Sequence, residues 1–292
     1  MRAAIDIGTN TVLMLVGERG ADGRVRVVDD LARITRLGEG VAASHRLRPE
    51  AIERTIEVLR HYASVAAGHG AEIVAVATEG LRLAEDAERF LGPAAAALGA
   101  PIRRISGEQE AELSYRSVAA ETPFGPLRVL DIGGGSTELI VGEGDRIVDR
   151  RSHPVGSVRL TERIVQHDPP SDDELEALSA AARQVFASQP LSPAPRLHGL
   201  AGTVTSAAAL HLGLTQYDRE RVDGTEMTLA QVTALRDTLA RETLAQRIAR
   251  PILGRGRGDV IVAGMTILVE AMRHCGAELL VVRDRGLRFA LI

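Results

Sequence analysis

Short apolar runs bounded by turn residues alternate along the chain with longer segments in which apolar side chains recur at helical spacing. Residues 3–8 predict a buried strand, and after a Thr-Asn-Thr turn residues 12–16 predict a second strand. Alternating positions over residues 24–36 predict a third strand. Over Pro49–Gly68 the apolar spacing predicts a helix with proline in its first turn. This alternation of strands and helices favours an α/β fold.

The same alternation continues through the chain, with one candidate domain boundary. The other predicted strands are 72–77, 101–105, 127–131, 196–200 and 278–282, and the other predicted helices are 83–98, 108–118, 259–276 and segments starting at 203 and 228. Residues 122–126 hold two prolines and a glycine, which are typical of a linker. We therefore predict two domains, residues 1–122 and 123–292.

An internal repeat relates the two predicted domains. Asp6-Ile7-Gly8-Thr9-Asn10-Thr11 leads through an apolar run to Val16-Gly17-Glu18, and Asp131-Ile132-Gly133-Gly134-Gly135-Ser136 leads to Val141-Gly142-Glu143. The segments align without gaps at a shift of 125 residues (131 − 6), and six residues are identical. This repetition indicates a duplicated domain.

Each copy places turn residues between two apolar runs, which predicts a β-hairpin. Glycine allows close backbone approach at such a tip, and successive N–H groups there form a concavity that binds anions. Asp6 and Asp131 end the first strand of each hairpin, and such carboxylates bind Mg²⁺ directly or through water. The pattern favours two hairpins that hold a phosphate with Mg²⁺, although ordinary glycine turns have the same local sequence. The hydroxyl donors at the tips are Thr9, Thr11, Ser136 and Thr137.

The composition narrows the ways in which this chain can bind an anion. All 35 positively charged residues are arginine, so a Walker A phosphate loop and Schiff-base catalysis are excluded, because both need lysine. Aromatic residues make up only 2% and the net charge is −4, which argues against nucleic acid as a partner. A phosphate ligand must therefore be held by backbone N–H groups, hydroxyls, arginine and metal.

Cysteine content and the N-terminus bear on the cellular compartment. Cys275 is the single cysteine, which excludes a disulfide scaffold and a cysteine-rich zinc site. The acidic Asp6 comes too early for a signal peptide, and no apolar run reaches membrane-spanning length. We predict a cytoplasmic protein without a membrane partner.

Three segments, residues 5–11, 131–138 and 199–205, resemble in order the two phosphate motifs and the nucleotide-type motif of the actin/hexokinase/Hsp70 superfamily. More narrowly, the chain resembles the exopolyphosphatase and guanosine pentaphosphate phosphohydrolase (Ppx/GppA) family in its short two-domain form. The resemblance implies two duplicated actin-like (ribonuclease H-like) domains, each with a mixed sheet flanked by helices, and an interdomain cleft. Further segments that resemble the family are 36–41, 105–111, 156–161 and 284–288.

The resemblance also implies residue roles. Glu110 matches the general base for the attacking water, whereas its position alone would make it a solvated residue of a first helical turn. Asp131 and Glu138 match catalytic carboxylates that hold the metal or orient the water, and Thr203 is also expected to cap its helix. The implied phosphate-binding residues are Gly8, Thr9, Asn10, Thr11, Arg82, Gly133, Gly134, Gly135, Ser136, Thr137, Gly202 and Thr203, and the implied metal ligands are Asp131, Glu138 and Asp6.

The chain departs from the family pattern at several positions. Gln109 replaces a common glutamate beside Glu110, and one carboxylate fewer should repel a polyanion less, so we expect activity to survive. Asp86 replaces a frequent asparagine, and Asp223 a frequent histidine. Leu13-Met14 stands where relatives often have arginine or histidine, which removes one candidate cation.

The resulting hypothesis is a phosphohydrolase that releases terminal phosphate from inorganic polyphosphate or pppGpp. The resemblance implies Mg²⁺ as cofactor, a monovalent cation such as K⁺, and a homodimer. The first alternative is a kinase or ATPase of the same superfold, against which Glu110 argues. The second is a non-catalytic regulator that binds guanosine penta- or tetraphosphate, which predicts loss of a carboxylate although Glu110, Asp131 and Glu138 are all present.

Overall fold

The computed structural model describes residues 1–122 and 125–292. The chain forms two compact units, Met1–Glu121 with Gly286–Ile292, and Thr122–Arg285. The predicted boundary adjoins this division, and its Pro123 and Phe124 lie outside the described residues. Residues 286–292, which the sequence analysis places in the second domain, belong to the first unit.

The first unit is a five-stranded sheet in the order β3-β2-β1-β4-β5. Strands β1, β2 and β3 are antiparallel, whereas β4 and β5 run parallel to β1. The strands are β1 (Arg2–Ile7), β2 (Thr11–Arg19), β3 (Val25–Ile34), β4 (Glu72–Ala77) and β5 (Ile102–Arg104). The helices are α1 (Val41–Ser44), α2 (Pro49–Gly68), α3 (Glu79–Leu83), α4 (Glu88–Leu98), α5 (Gly107–Ala119) and α13 (Arg288–Leu291).

The second unit repeats this strand order and adds one antiparallel edge strand, giving β10-β11-β9-β6-β7-β8. Its strands are β6 (Pro126–Ile132), β7 (Thr137–Glu143), β8 (Arg146–His153), β9 (Arg196–Leu200), β10 (Glu226–Thr228) and β11 (Leu279–Val282). Its helices are α6 (Ser157–Ile164), α7 (Asp172–Phe186), α8 (Ala201–His211), α9 (Arg219–Val222), α10 (Leu229–Arg241), α11 (Leu244–Ala249) and α12 (Ile261–Cys275). Helix α12 is buried along nearly its whole length, which explains its almost continuous apolar sequence.

The C-terminal residues join the first unit because the two faces of its sheet bury different partners. Alternate side chains of β1 point to opposite faces. Ile5 packs in the cluster formed with α2 and α4, and Ala4 packs with Leu287, Phe289 and Ile292. The second face of the sheet is therefore covered by residues from the far end of the sequence. This apolar burial places the C-terminal residues in the first unit.

A β-bulge occurs at the same place in both units. The β2–β3 register shifts immediately after Val16, and the β7–β8 register shifts immediately after Val141. These positions are related by the shift of the sequence repeat. The extra residue on the third strand is an exposed valine in each case, Val28 and Val148. The duplication thus extends through the third strand, beyond the segment in which sequence identity reveals it.

The predicted single helix over residues 83–98 was wrong. Residues 84–87 separate α3 from α4. The Asp86 carboxylate accepts a hydrogen bond from the Leu47 amide at 2.9 Å and forms an ion pair with Arg89 at 3.2 Å. This link to a distant loop is invisible to local spacing, and it gives Asp86 a structural role. Within residues 1–122 and 125–292, no helix combines the length and apolar character needed to cross a bilayer.

Candidate active site

In the first unit, the parallel strands β1, β4 and β5 end at one edge of the sheet. The connections that follow them are residues 8–10, residue 78, and residues 105–106. The carboxyl ends of parallel strands are the usual ligand-binding edge of an α/β sheet. The connections at this edge form the tip of the β1–β2 hairpin and lead into α3 and α5. Arg82 lies on α3 and Glu110 on α5.

The tip of the first hairpin is held by backbone contacts. The Gly8 amide donates to the Thr11 carbonyl at 3.0 Å, and the Gly38 amide donates to the Thr9 carbonyl at 2.9 Å. A Cβ at Gly38 would lie 2.4 Å from Thr9 Cγ2, and one at Gly80 would lie 3.2 Å from Thr9 Oγ1. Thr9 is therefore buried between Gly38 in the loop after β3 and Gly80 in α3, which fix the tip.

The second hairpin repeats this construction with the offset of the sequence repeat. The Gly133 amide donates to the Ser136 carbonyl at 2.9 Å, as Gly8 does to Thr11. Gly134, at the position equivalent to Thr9, accepts at its carbonyl from the Val158 amide at 2.9 Å. A Cβ at Gly156 would lie 2.4 Å from the Gly134 carbonyl oxygen. The sequence analysis assigned no role to Gly38 or Gly156, although both lie in segments that resemble the family.

Substitution of Gly156 by alanine should destabilise the second hairpin, because its Cβ would collide with backbone that cannot rotate away. We expect a loss of about 1–3 kcal/mol in unfolding free energy, measured by urea denaturation. Gly92→Ala is the control, since Gly92 is exposed within α4 and its Cβ has no neighbour within 4 Å. That control should be neutral or stabilising. Equal stability of Gly156→Ala and the unmodified protein would contradict the packing argument.

Asp131 and Glu138 are direct cross-strand partners in the second hairpin. Side chains at such positions lie on the same face of the sheet, with Cβ atoms about 5 Å apart. Glu138 is fully buried, and its Oε1 accepts a hydrogen bond from the Ser152 hydroxyl at 2.6 Å. Two adjacent hard oxygen ligands suit Mg²⁺, which is usually held by one or two carboxylates together with substrate phosphates.

The first unit lacks the corresponding carboxylate pair. The residue opposite Asp6 is Leu13, at the position equivalent to Glu138. No group of three or more histidine, cysteine or acidic side chains suited to a metal occurs in the part of the chain that the structure describes. Within the hairpins, therefore, the second unit alone pairs two of the predicted metal ligands.

Arg82 lies between two carboxylates. Its Nη1 donates to Glu110 Oε2 at 2.8 Å and to the Ile105 carbonyl at 3.0 Å. Its Nη2 donates to Glu79 Oε2 at 2.7 Å. Burial lowers the pKa of the Arg82 guanidinium, but the Glu110 and Glu79 carboxylates outweigh burial and raise that pKa above its ordinary value. The arginine is therefore a fixed cation beside the predicted base.

Glu110 is buried, so the alternative of a solvated first-turn residue was wrong. Helix α5 begins at a capping box in which Ser106 Oγ accepts from the Gln109 amide and Gln109 Oε1 accepts from the Ser106 amide. Gln109 is thus a capping residue, and the reduced repulsion of a polyanion that the sequence analysis expects from it stays a prediction. Capping positions the first turn of α5, and with it Glu110.

The predicted cap of α8 was wrong. The N-cap residue is Leu200, whose side chain accepts no capping hydrogen bond, and Thr203 lies within the helix. Thr203 is buried against α12, where a Cβ at Gly264 would lie 2.4 Å from Thr203 Oγ1. A Cβ at Gly202 would have no neighbour within 4 Å, so space is open there. Of these two predicted phosphate-binding residues, Gly202 is the one beside open space.

The predicted phosphate-binding residue Thr137 and the substituted residue Asp223 both have contacts within the fold. Thr137 is fully buried, and its hydroxyl donates to the Val155 carbonyl at 2.6 Å. Asp223 accepts from the Asp284 amide at 2.8 Å and from Arg283 Nε at 3.1 Å. Asp223, which replaces a frequent histidine, therefore stabilises the backbone that follows β11.

The strand order and the two equivalent hairpins define an actin-like α/β protein built by duplication. The chain belongs to the Ppx/GppA phosphatase family, whose model matches residues 16–292. The fold class and the family resemblance predicted from the sequence are both confirmed.

Individual relatives support the same assignment. The chain is 37% identical to Exopolyphosphatase 2 of Mycobacterium tuberculosis, over 93% of this chain and 90% of that protein. The crystal structure of the Aquifex aeolicus Ppx/GppA family member has a TM-score of 0.83 at 33% identity, covering 99% of this chain and 95% of that one. A crystal structure of an exopolyphosphatase-like protein has a TM-score of 0.92 at 30% identity, covering 99% and 96%.

Proposed function

We propose that this protein is an exopolyphosphatase that releases terminal phosphate from inorganic polyphosphate. The observation that carries the proposal is the buried Glu110, held by Arg82 at the ligand-binding edge of the first sheet. The similarity to Exopolyphosphatase 2 supports the choice of substrate. pppGpp is a second candidate substrate, because its terminal phosphoanhydride presents the same reacting atoms and the family description includes GppA.

In the proposed reaction, Glu110 accepts a proton from a water molecule whose oxygen attacks the terminal phosphorus in line. The anhydride P–O bond breaks, and the shortened chain leaves with the bridging oxygen. The hairpin tips around Gly8 and Gly133 supply backbone N–H donors for the phosphate oxygens.

The metal requirement belongs to the same proposal. Asp131 and Glu138 would hold Mg²⁺, with Asp6 as a further candidate ligand. A bound Mg²⁺ would neutralise negative charge on the phosphate oxygens. Ser152 orients Glu138 through the hydrogen bond to its Oε1, a support of the kind that metal-binding carboxylates commonly have.

A substrate panel tests the proposed function. Orthophosphate release is measured with Mg²⁺ from long-chain polyphosphate, pppGpp and ATP. We expect polyphosphate to be hydrolysed fastest, pppGpp more slowly, and ATP least. If no orthophosphate is released from any of the three and ppGpp shifts the thermal unfolding temperature, the protein is instead a regulator that binds guanosine tetraphosphate.

A further inference from the structure

Glu79 contacts Arg82 directly on the side away from Glu110. Arg82 Nε and Nη2 both donate to Glu79 Oε2, at 3.2 and 2.7 Å. Arg82 Nη1 donates to Glu110 and to the Ile105 carbonyl. One guanidinium therefore links two carboxylates, one from α3 and one from α5.

The hydrogen bonds use most of the donors that Arg82 has. A guanidinium has five N–H groups, and the bonds to Glu79, Glu110 and Ile105 occupy four of them. The Nε–Nη2 edge is one of the forks with which arginine binds carboxylate or phosphate through two hydrogen bonds. While Glu79 holds this edge, a phosphate cannot take it.

The charge and burial of these three side chains affect how a phosphate chain can approach Glu110. The Glu79, Arg82 and Glu110 side chains are 13%, 19% and 11% exposed. The Glu79 carboxylate brings a second negative charge next to Arg82, in addition to that of Glu110. Largely buried charges are weakly screened, so the Glu79 carboxylate repels a polyanion that approaches Glu110.

We propose that Glu79 is a positioning residue that fixes Arg82 against Glu110 and keeps its Nε–Nη2 edge from phosphate. The inference rests on the proposed function, in which Glu110 is the base. Glu79 aids turnover by holding the base in place, and it weakens binding of the phosphate chain. Arg82, which the sequence analysis assigns to phosphate binding, then acts mainly on Glu110.

The test separates the two consequences by measuring kcat and KM for polyphosphate. Glu79→Ala removes the acceptor and opens the arginine edge, so kcat should fall by about tenfold as Glu110 loses its fixed position. KM should fall by about threefold, because one negative charge is lost near the substrate. Glu79→Gln retains an acceptor for Arg82, so it should lower KM similarly while losing less kcat. Glu85→Gln, an exposed neighbour, is the control for charge alone.

A merely structural role for Glu79 would lower the folded fraction and leave KM unchanged. Unchanged kcat and KM in Glu79→Ala would overturn the inference. The proposed function would still stand in that case, because the unmodified enzyme is active. If the unmodified protein hydrolyses nothing, calorimetric titration with tripolyphosphate decides. Tighter binding by Glu79→Ala than by the unmodified protein then supports the inference that Glu79 keeps phosphate from the Nε–Nη2 edge of Arg82. Equal binding overturns that inference.

Discussion

Glu110→Gln should abolish orthophosphate release from polyphosphate, with kcat reduced by at least about a thousandfold, which lies within the range for loss of a general base. Glutamine is nearly isosteric and keeps an oxygen that accepts from Arg82 Nη1, so the bridge to α5 is conserved. What disappears is the carboxylate that takes the proton from water. The measurement is the steady-state rate of phosphate release across a range of polyphosphate concentrations.

The matched control is Glu108→Gln, which makes the same change in the first turn of the same helix at an exposed position. Since both variants remove one negative charge near the helix N-terminus, a difference between them isolates the role of Glu110. Binding of polyphosphate to Glu110→Gln should persist. Turnover by this folded variant at the rate of the control would remove Glu110 from the mechanism.

The second large effect is expected at the carboxylate pair of the second hairpin. Glu138→Gln should raise the Mg²⁺ concentration needed for half-maximal activity and lower the saturated rate by about a hundredfold, because one anionic ligand is lost. Asp131→Asn should have a similar effect, since the two residues are cross-strand partners. The measurement is activity as a function of Mg²⁺ at fixed polyphosphate.

Ser152→Ala tests the support of this pair, because it removes only the hydrogen bond to Glu138 Oε1. We expect the Mg²⁺ concentration needed for half-maximal activity to rise by about tenfold, which is typical when a residue that orients a metal ligand is lost. Glu143→Gln, at the exposed end of β7, the strand that carries Glu138, should change neither the Mg²⁺ dependence nor the saturated rate. An unaltered Mg²⁺ dependence in both Glu138→Gln and Asp131→Asn would show that the pair holds no metal.

Features encoded over short stretches could be predicted from sequence. The two hairpins follow from short continuous apolar runs on either side of turn residues, and helix α2 follows from its 3.6-residue spacing. Their repetition at a constant shift predicts the duplication that both strand orders show. The cross-strand pairing of Asp131 with Glu138 is of the same kind, because a tight hairpin sets the register.

Other features depend on partners far apart in sequence and could not be predicted. The interruption between α3 and α4 depends on Leu47, and the burial of Thr203 depends on Gly264 in α12. None of these contacts leaves a periodic signal in its own segment.

The sequence by itself determined the two hairpins, helix α2, the repeat, the absence of lysine chemistry and the family, since each is a local or cumulative property of residue types. Tertiary structure decided that the last residues complete the first unit, that glycines lock both hairpin tips, and that Arg82 is shared by Glu79 and Glu110. Those outcomes depend on long-range packing and on competition among hydrogen-bond acceptors, and such competition is settled only when the folded chain brings the groups within a few ångströms.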